Sequence, residues 1–286
     1  MKAQLTLTVS EGKRLIAFAV ARMPEVQAAL RCGKILLKGG TTVSAIAEEL
    51  VGVPLRISGR ITPLGTKSAR STVEAPHSLL IDKGVPEGVD DCLEEAVLGM
   101  GPGDVAICGA NVIDRYGYAA IMAGSPLGGP PGRVISALAS EGITTIVAAG
   151  LEKLIPGSVA EATLAAGRKG TDWSMGMAVG LIPVPGRIIT ELDAFPMVAK
   201  VQVAVIGRGG VAGAEGATTY VVEGDEAEVA SLARLVLRLK GSSTSGAEGS
   251  LEECRRGCPH CHRHLGCIYG GKDVTKAKFE VVNDEE

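Results

Sequence analysis

The sequence predicts an α/β protein with a mainly parallel sheet, plus a small Cys/His metal-binding tail. Short apolar segments alternate with amphipathic helical segments, which is the pattern of buried strands connected by helices. The 286 residues are 46% hydrophobic but only 3% aromatic, so the core must consist of Val, Ile, Leu and Ala, as in buried parallel strands. Thirty-nine glycines indicate many tight loops between strands and helices.

The individual elements follow from apolar periodicity. Ser10 is a candidate N-cap for a first helix that runs to about Arg31. The other predicted helices cover 43–50, 88–98, 134–140, 159–166 and 225–240. The predicted strands cover 34–38, 55–61, 77–81, 104–108, 118–122, 144–149 and 218–222.

Composition divides the chain into three parts. Residues 1–240 form the predicted ligand-binding domain, and 251–286 form the Cys/His-rich tail. Between them, 241–250 consists mostly of Gly, Ser and Thr, which is typical of a flexible linker.

Charge and cysteine usage limit the partners and the compartment. A net charge of −3 gives no electrostatic basis for binding nucleic acid or an anionic membrane. The N-terminus has no long apolar segment, and the apolar run 15–29 is interrupted by Arg22, Pro24 and Glu25. Three cysteines of the first domain are isolated, so no disulfide framework is expected. We therefore expect a cytoplasmic protein without membrane contact. We also expect the protein to form a homo-oligomer.

The most distinct loop of the first domain is Lys38-Gly39-Gly40-Thr41-Thr42, between a predicted strand and a predicted helix. Free backbone N–H groups and the helix dipole favour an anion at such a position. The two threonine hydroxyls add donors and Lys38 adds charge. The alternative is an ordinary tight turn, and the loop is neither a Walker A motif nor Gly-x-Gly-x-x-Gly.

Two more loops are candidates for the same ligand. Gly109 and Asn111 follow a buried strand, where open α/β sheets place ligands, and Asp114 adds a carboxylate unless it only caps a turn. Ser125 lies in a Gly- and Pro-rich loop before a helix, which is either a second anion site or a rigid surface loop.

The candidate catalytic groups are two carboxylates near predicted strand ends, Glu152 and Glu191. Either suits a general acid or base, or a nucleophile in acyl transfer, although a carboxylate at a strand end is often a solvated cap. His77, the one histidine outside the tail, reads as a structural residue. No Ser-His-Asp pattern is present.

The tail has the strongest chemical signal in the chain. Four cysteines and three histidines occur within fourteen residues, and the four candidate metal ligands are Cys254, Cys258, Cys261 and Cys267. Cys-Pro-His-Cys is a thiolate pair of the kind found in structural zinc sites, whereas the compact C-x3-C-x2-C spacing also suits an iron–sulfur cluster. The expected cofactor is zinc, with an iron–sulfur cluster as the alternative.

Three segments resemble a known superfamily. Residues 38–50 look like its phosphate- or CoA-binding strand, loop and helix, and 104–111 and 145–156 look like two segments of its lactate-utilisation (LUD) branch. The superfamily groups sugar-phosphate isomerases, effector domains of sugar-responsive regulators, CoA transferases and folate cyclo-ligases. The resemblance covers about 30–165 and implies a three-layer, Rossmann-like fold with a ligand cleft at the carboxyl ends of the strands. Proteins of the LUD branch are associated with iron–sulfur oxidation of 2-hydroxy acids. The resemblance therefore also implies that a metal-bearing tail would belong to such a system.

These observations leave three functions open. The preferred one is binding of an anionic metabolite (a sugar phosphate, hydroxy acid or CoA derivative), with isomerisation or acyl transfer if the protein is an enzyme. The second is a non-catalytic zinc or iron–sulfur subunit that docks a redox protein. The third is an effector-binding sensor.

Overall fold

The computed structural model describes residues 1–68, 73–252 and 264–270. The helices are α1 (Val9–Val20), α2 (Pro24–Cys32), α3 (Thr41–Val51), α4 (Leu93–Leu98), α5 (Gly129–Ser140), α6 (Val159–Ala165), α7 (Glu191–Val198) and α8 (Glu226–Leu239). The strands are β1 (Lys2–Leu7), β2 (Lys34–Lys38), β3 (Gly59–Thr62), β4 (Gly65–Ser68), β5 (Ser78–Asp82), β6 (Val85–Gly88), β7 (Val105–Cys108), β8 (Val112–Ile113), β9 (Ala119–Ala123), β10 (Thr144–Ala148), β11 (Gly180–Pro183), β12 (Arg187–Ile189), β13 (Val201–Gly209) and β14 (Ala217–Gly224).

The centre of the molecule is a six-stranded sheet with the order β12-β10-β7-β2-β5-β6. Its first four strands are parallel, and β5 and β6 return antiparallel. Within the described chain, three of the ten strand pairings are parallel. The α/β class is confirmed, but the described strand pairings are mixed and not mainly parallel. All pairings outside β12-β10-β7-β2 are antiparallel.

Helices cover both faces of this sheet because alternate strand residues point to opposite sides. In β2, Ile35 and Leu37 belong to the larger core, which also contains α1, α3, α7 and α8. Leu36 belongs to a second core with residues of α4 and α5. Strands that are buried on both faces read as continuous apolar runs, which is why β2, β7 and β10 were predicted.

Three small sheets surround the centre. β1 and β13 flank β14, β9 lies between β11 and β8, and β3 pairs with β4 as a two-stranded hairpin. All of these pairings are antiparallel. The β3–β4 hairpin stands at the carboxyl edge of the central sheet, where it bounds the cleft described below.

The first predicted helix is divided in two. Thr8, and not Ser10, caps α1 through a capping box with Glu11. Pro24 then begins α2 at its first position, since proline lacks the N–H that a continuous helix would need there.

The segment 241–250 is packed against the body, which differs from the prediction of a flexible linker. Ser245 Oγ donates to Glu48 Oε1 over 2.6 Å, and Ala247 N donates to Leu55 O over 2.8 Å. Ser250 is 1% exposed. The small polar residues that suggested a linker fit instead into a groove beside α3, where the body satisfies their polar groups.

No helix in the described part of the chain is long and apolar enough to cross a membrane.

Candidate functional site

A cleft of about 450 Å³ lies at the carboxyl ends of β2, β7 and β10. This volume is in the range of small-ligand sites. Three segments that the sequence predicted separately meet in it, namely Gly39–Thr42, Gly109–Asn111 and the turn with Lys153. The rest of the lining comes from Lys13, Ile57, Gly59, Arg60, Ile61, Thr62, Pro63, Ile121, Ala148, Ala149, Thr244 and Leu251.

The loop between β2 and α3 needs both of its glycines, for different reasons. A Cβ on Gly39 would collide with the His77 ring, so that position has no room for a side chain. Gly40 has a φ of 143°, which L-residues rarely adopt, and a Cβ there would meet open space. The two consecutive glycines of this loop therefore have two causes: Gly39 lies against the His77 ring, and Gly40 has a positive φ.

The N-terminus of α3 opens into the cleft. Gly40 is its N-cap and supplies no side-chain hydrogen bond, and the first backbone bond of the helix runs from Ser44 N to Gly40 O. Thr41 and Thr42 line the cleft at this point. The N–H groups of a first helical turn and the positive end of its dipole together favour an anion.

Two lysines add positive charge to the same cleft. Lys13 Nζ lies 3.3 Å from Glu152 Oε1, and Lys153 Nζ lies 3.9 Å from the same oxygen. Burial lowers the pKa of Lys153, and the charge of Lys13 lowers it further. One buried carboxylate thus holds two cations at the cleft, and the three groups together have one net positive charge.

Glu152 is behind this lining and does not form part of it. Both of its carboxylate oxygens are buried, and neither has a hydrogen bond of normal geometry with the described residues. The Lys13 contact is therefore an ion pair without a well-aligned N–H···O bond.

Glu191, the other predicted catalytic acid, lies deeper still at 4% exposed. Its Oε2 accepts a 2.8 Å hydrogen bond from Leu151 N. A Cβ on Gly12 would overlap with its carboxyl group, and a Cβ on Gly150 would touch the carboxyl groups of both Glu191 and Glu152. Gly12 and Gly150 are therefore glycines because they leave room for a pair of neighbouring carboxyl groups.

This arrangement makes Glu191 titrate near neutral pH. Burial raises the pKa of Glu191 to about 7, and the negative charge of Glu152 acts in the same direction. Burial also raises the pKa of Tyr220, and the charge of Glu191 acts in the same direction. The centroids of the Tyr220 and Phe195 rings are 4.9 Å apart. The Glu191 carboxyl group is therefore largely protonated below about pH 7, and it lies behind the cleft lining.

Lys38, expected in the anion site, does not line the cleft. Its register partners are Ser78 and Cys108, so its side chain shares the sheet face of Leu36, opposite to α3. Burial lowers the pKa of Lys38 to about 8, while Cys108 and Asp90 act to raise it. The lysines that line the cleft are Lys13 and Lys153.

Asn111 lines the cleft as predicted, whereas Asp114 does not. Asn111 Oδ1 accepts from Met122 N, which ties β9 to the loop after β7. The Asp114 carboxylate accepts from the backbone N–H groups of Tyr116, Tyr118 and Val159. These bonds outweigh burial and lower the pKa of Asp114, so the turn-capping alternative describes it.

Ser125 is also absent from the cleft lining. It precedes α5, whose second and third residues are Pro130 and Pro131. Because proline has no N–H, this helix start offers fewer donors than α3. The geometry favours the rigid-loop alternative for Ser125.

Of the four predicted metal ligands, Cys254, Cys258 and Cys261 lie outside the described residues. Cys267 is buried, and its segment packs on 174–178: Ser174 N donates to Gly266 O and Ala178 N donates to Leu265 O. Among the described residues no group of three or more His, Cys, Asp or Glu is arranged to hold a metal. The prediction of a zinc or iron–sulfur site stays a prediction.

Sequence reasoning missed Lys13 and the hairpin side of the cleft. Lys13 occupies the buried stripe of α1, three and four residues before Ile16 and Ala17, and it follows a glycine inside a helix. A lysine on an apolar stripe beside a helical glycine is a signal that could have been found. The Ile57, Thr244 and Leu251 positions have no such local signal.

The first prediction concerns pH and stability. The folded-state pKa of Glu191, about 7, lies above its ordinary value of 4.5, so the folded chain keeps a proton that the unfolded chain releases. This stabilisation is complete below pH 4.5 and is lost as the pH rises through 7. We expect the free energy of unfolding to fall between pH 5 and 8 by on the order of 3 kcal/mol at most.

Glu191→Gln should remove most of this pH dependence in urea unfolding at pH 5, 6, 7 and 8. The exposed Glu248→Gln should follow the wild type. Parallel curves for wild type and Glu191→Gln would contradict the assignment.

The second prediction tests the space left by Gly12. Alanine favours a helix by about 1 kcal/mol over glycine, yet Gly12→Ala should lower stability by roughly 1–3 kcal/mol because its methyl overlaps with the Glu191 carboxyl group. In the Gly12→Ala/Glu191→Ala double variant the two losses should not add, as a thermodynamic cycle from denaturant unfolding would show. A Gly12→Ala protein more stable than wild type would exclude this packing.

No protein-family model matches this chain, and neither a curated protein nor a solved structure does. The resemblance to the LUD branch therefore remains a hypothesis based on 38–50, 104–111 and 145–156. The arguments that follow rest on the geometry of the cleft.

Proposed function

We propose that this protein binds an anionic small molecule in the cleft: a sugar phosphate, a hydroxy acid or a CoA derivative. The observation that supports this most directly is the convergence of the uncapped α3 N-terminus with Lys13 and Lys153. Helix amides and two cations, held by one carboxylate, give a preorganised site with net positive charge.

The proposal also includes a three-layer, Rossmann-like arrangement. The parallel strands β12, β10, β7 and β2, with helices on both faces, support it. In open α/β sheets ligands bind outside the carboxyl ends of the strands, which is where this cleft lies.

If the site is catalytic, it suits isomerisation or acyl transfer. Both reactions develop negative charge on an oxygen, which the α3 amides and the two lysines would stabilise. Glu152 contacts both lysines but does not line the cleft, so we assign it as a group that accepts a proton by way of a lysine and not directly from the ligand. Glu191, which exchanges protons near neutral pH, is assigned as the group that shares a proton with it.

The third prediction follows from the charge of this cleft. Lys153→Met should weaken the binding of inorganic phosphate and of carboxylate metabolites at least tenfold in titration calorimetry, because one of the two lysines of the cleft is removed. Lys153 is the preferred position since its side chain is 27% exposed, against 11% for Lys13. Lys2→Met, at an exposed ion pair on β1, is the matched control and should bind as the wild type does.

Lys13→Met alone would leave the buried Glu152 with a weaker counter-ion, so it is tested as Lys13→Met/Glu152→Gln. The double variant keeps the one net positive charge through Lys153, so it should still bind phosphate. Unchanged affinity in the Lys153→Met variant, which loses that charge, would overturn the proposal. A thermal-shift screen of sugar phosphates, hydroxy acids and acyl-CoAs then separates the ligand classes.

A second function, a zinc or iron–sulfur subunit that docks a redox protein, is favoured by the attachment of the tail. Arg60 of the hairpin donates to the carbonyl groups of Ser250 and Glu252. His264 Nε2 lies 3.3 Å from Ser68 Oγ of the same hairpin. The described residues on both sides of the predicted metal segment therefore contact one hairpin at the cleft.

The fourth prediction is that protein purified without oxygen contains a bound metal. One zinc per chain in a colourless sample is expected for a structural site, and visible absorbance with bound iron for a cluster. Cys258→Ser/Cys261→Ser should lose the metal, whereas Cys32→Ser, at an exposed isolated cysteine, should keep it. A metal-free wild type would refute this function.

A further inference from the structure

The cleft has one end that is lined by lysines and another that is lined by Arg60 and by several apolar side chains. Strand order places Lys153 after β10, Asn111 after β7 and Gly39 after β2. Lys13 belongs to the β10 end because it contacts Glu152. Next in the sheet after β2 is β5, and Arg56 N donates to Pro76 O just before that strand. The residue after Arg56, Ile57, therefore lines the end away from the lysines.

Apolar side chains form the wall of this second end. A Cβ on Gly246 would lie 2.7 Å from Ile57 and 3.4 Å from Leu251, so these two side chains are neighbours. Ile61 and Pro63 of the hairpin also line it. Ile61 is 58% exposed and Leu251 39%, although both are large apolar residues. A ligand in the cleft would remove this apolar surface from water.

The polar side chains that line this end already have partners in the protein. Arg60 donates to the carbonyl groups of Ser250 and Glu252. Thr62 Oγ1 donates to Gly65 O and accepts from Leu64 N. Thr244 Oγ1 pairs with Ser10 Oγ. A sugar body would place several hydroxyl groups against Ile57, Ile61 and Leu251, whose side chains offer them no hydrogen-bond partner in place of water.

We propose that the cleft selects an acid with an apolar body, an organic phosphate or carboxylate whose hydrocarbon part lies against Ile57, Ile61 and Leu251. This inference rests on the proposed anion site and narrows its ligand class. The acidic group occupies the end with Lys13, Lys153 and the α3 amides, and the hydrocarbon part extends under the hairpin. Sugar phosphates are excluded as preferred ligands.

The test uses inorganic phosphate, methyl, butyl and hexyl phosphate, and glucose 6-phosphate as probes in titration calorimetry. Affinity should rise roughly two- to fourfold for each added methylene, as burial of hydrocarbon predicts. Glucose 6-phosphate should bind no better than methyl phosphate. Ile61→Ser and Leu251→Ser should flatten the dependence of affinity on chain length, with inorganic phosphate, which has no alkyl group, as the reference ligand for each variant. Leu98→Ser, at a 69% exposed leucine of α4, is the matched control and should keep the full dependence.

Two results overturn the inference in distinguishable ways. Equal affinity along the alkyl series, or tighter binding of glucose 6-phosphate than of hexyl phosphate, refutes the apolar body while the anion site stands. If no phosphate binds, or if Lys153→Met leaves all affinities unchanged, the anion site itself fails and the inference fails with it.

Discussion

The buried ion pair between Lys13 and Glu152 is the interaction on which the cleft depends. A charge removed from water must be paired, and here the partners come from α1 and from the turn after β10. The pair therefore fixes how the first helix meets the carboxyl edge of the sheet. Gly12 and Gly150, which bring the backbone close to the carboxyl groups of Glu152 and Glu191, are consequences of the same constraint.

The same ion pair sets the net charge of the cleft, and this charge supports the proposal that the cleft binds an anion. Glu152 neutralises one of two lysines, so one positive charge is left for a ligand next to the α3 N-terminus. A second carboxylate as close to the lysines would cancel this charge. Glu191 does not, because burial and Glu152 keep it largely protonated below its pKa of about 7. The neighbouring acids are thus compatible with anion binding.

A structural feature could be predicted from the sequence when its cause lies in neighbouring residues of the chain. The Gly39–Thr42 loop and Asn111 were found because a glycine turn after a buried strand is a local pattern. Lys38 was misplaced because alternate residues of a strand face opposite sides: Leu37 faces the core that contains α3, and Lys38 shares the other face with Leu36. The linker prediction failed because composition does not reveal that Ser44, Glu48 and Leu55 supply partners for 245–247. Lys13 joined the site through tertiary contacts between distant segments.

The hairpin connects the ligand cleft to the C-terminal part of the chain. Its Ile61 faces the cleft, while its Arg60 holds the carbonyl groups of Ser250 and Glu252 and so keeps Leu251 in the cleft wall. Met175 and Met177 bond to Thr66 on the other strand, and the 174–178 segment in turn binds 265–268. Thr244 and Leu251, from the described segment 241–252, are therefore part of the cleft wall. Truncation before Leu251 would remove part of this wall and the Ser250 and Glu252 carbonyl groups to which Arg60 donates, so 241–252 and the cleft form one structural unit.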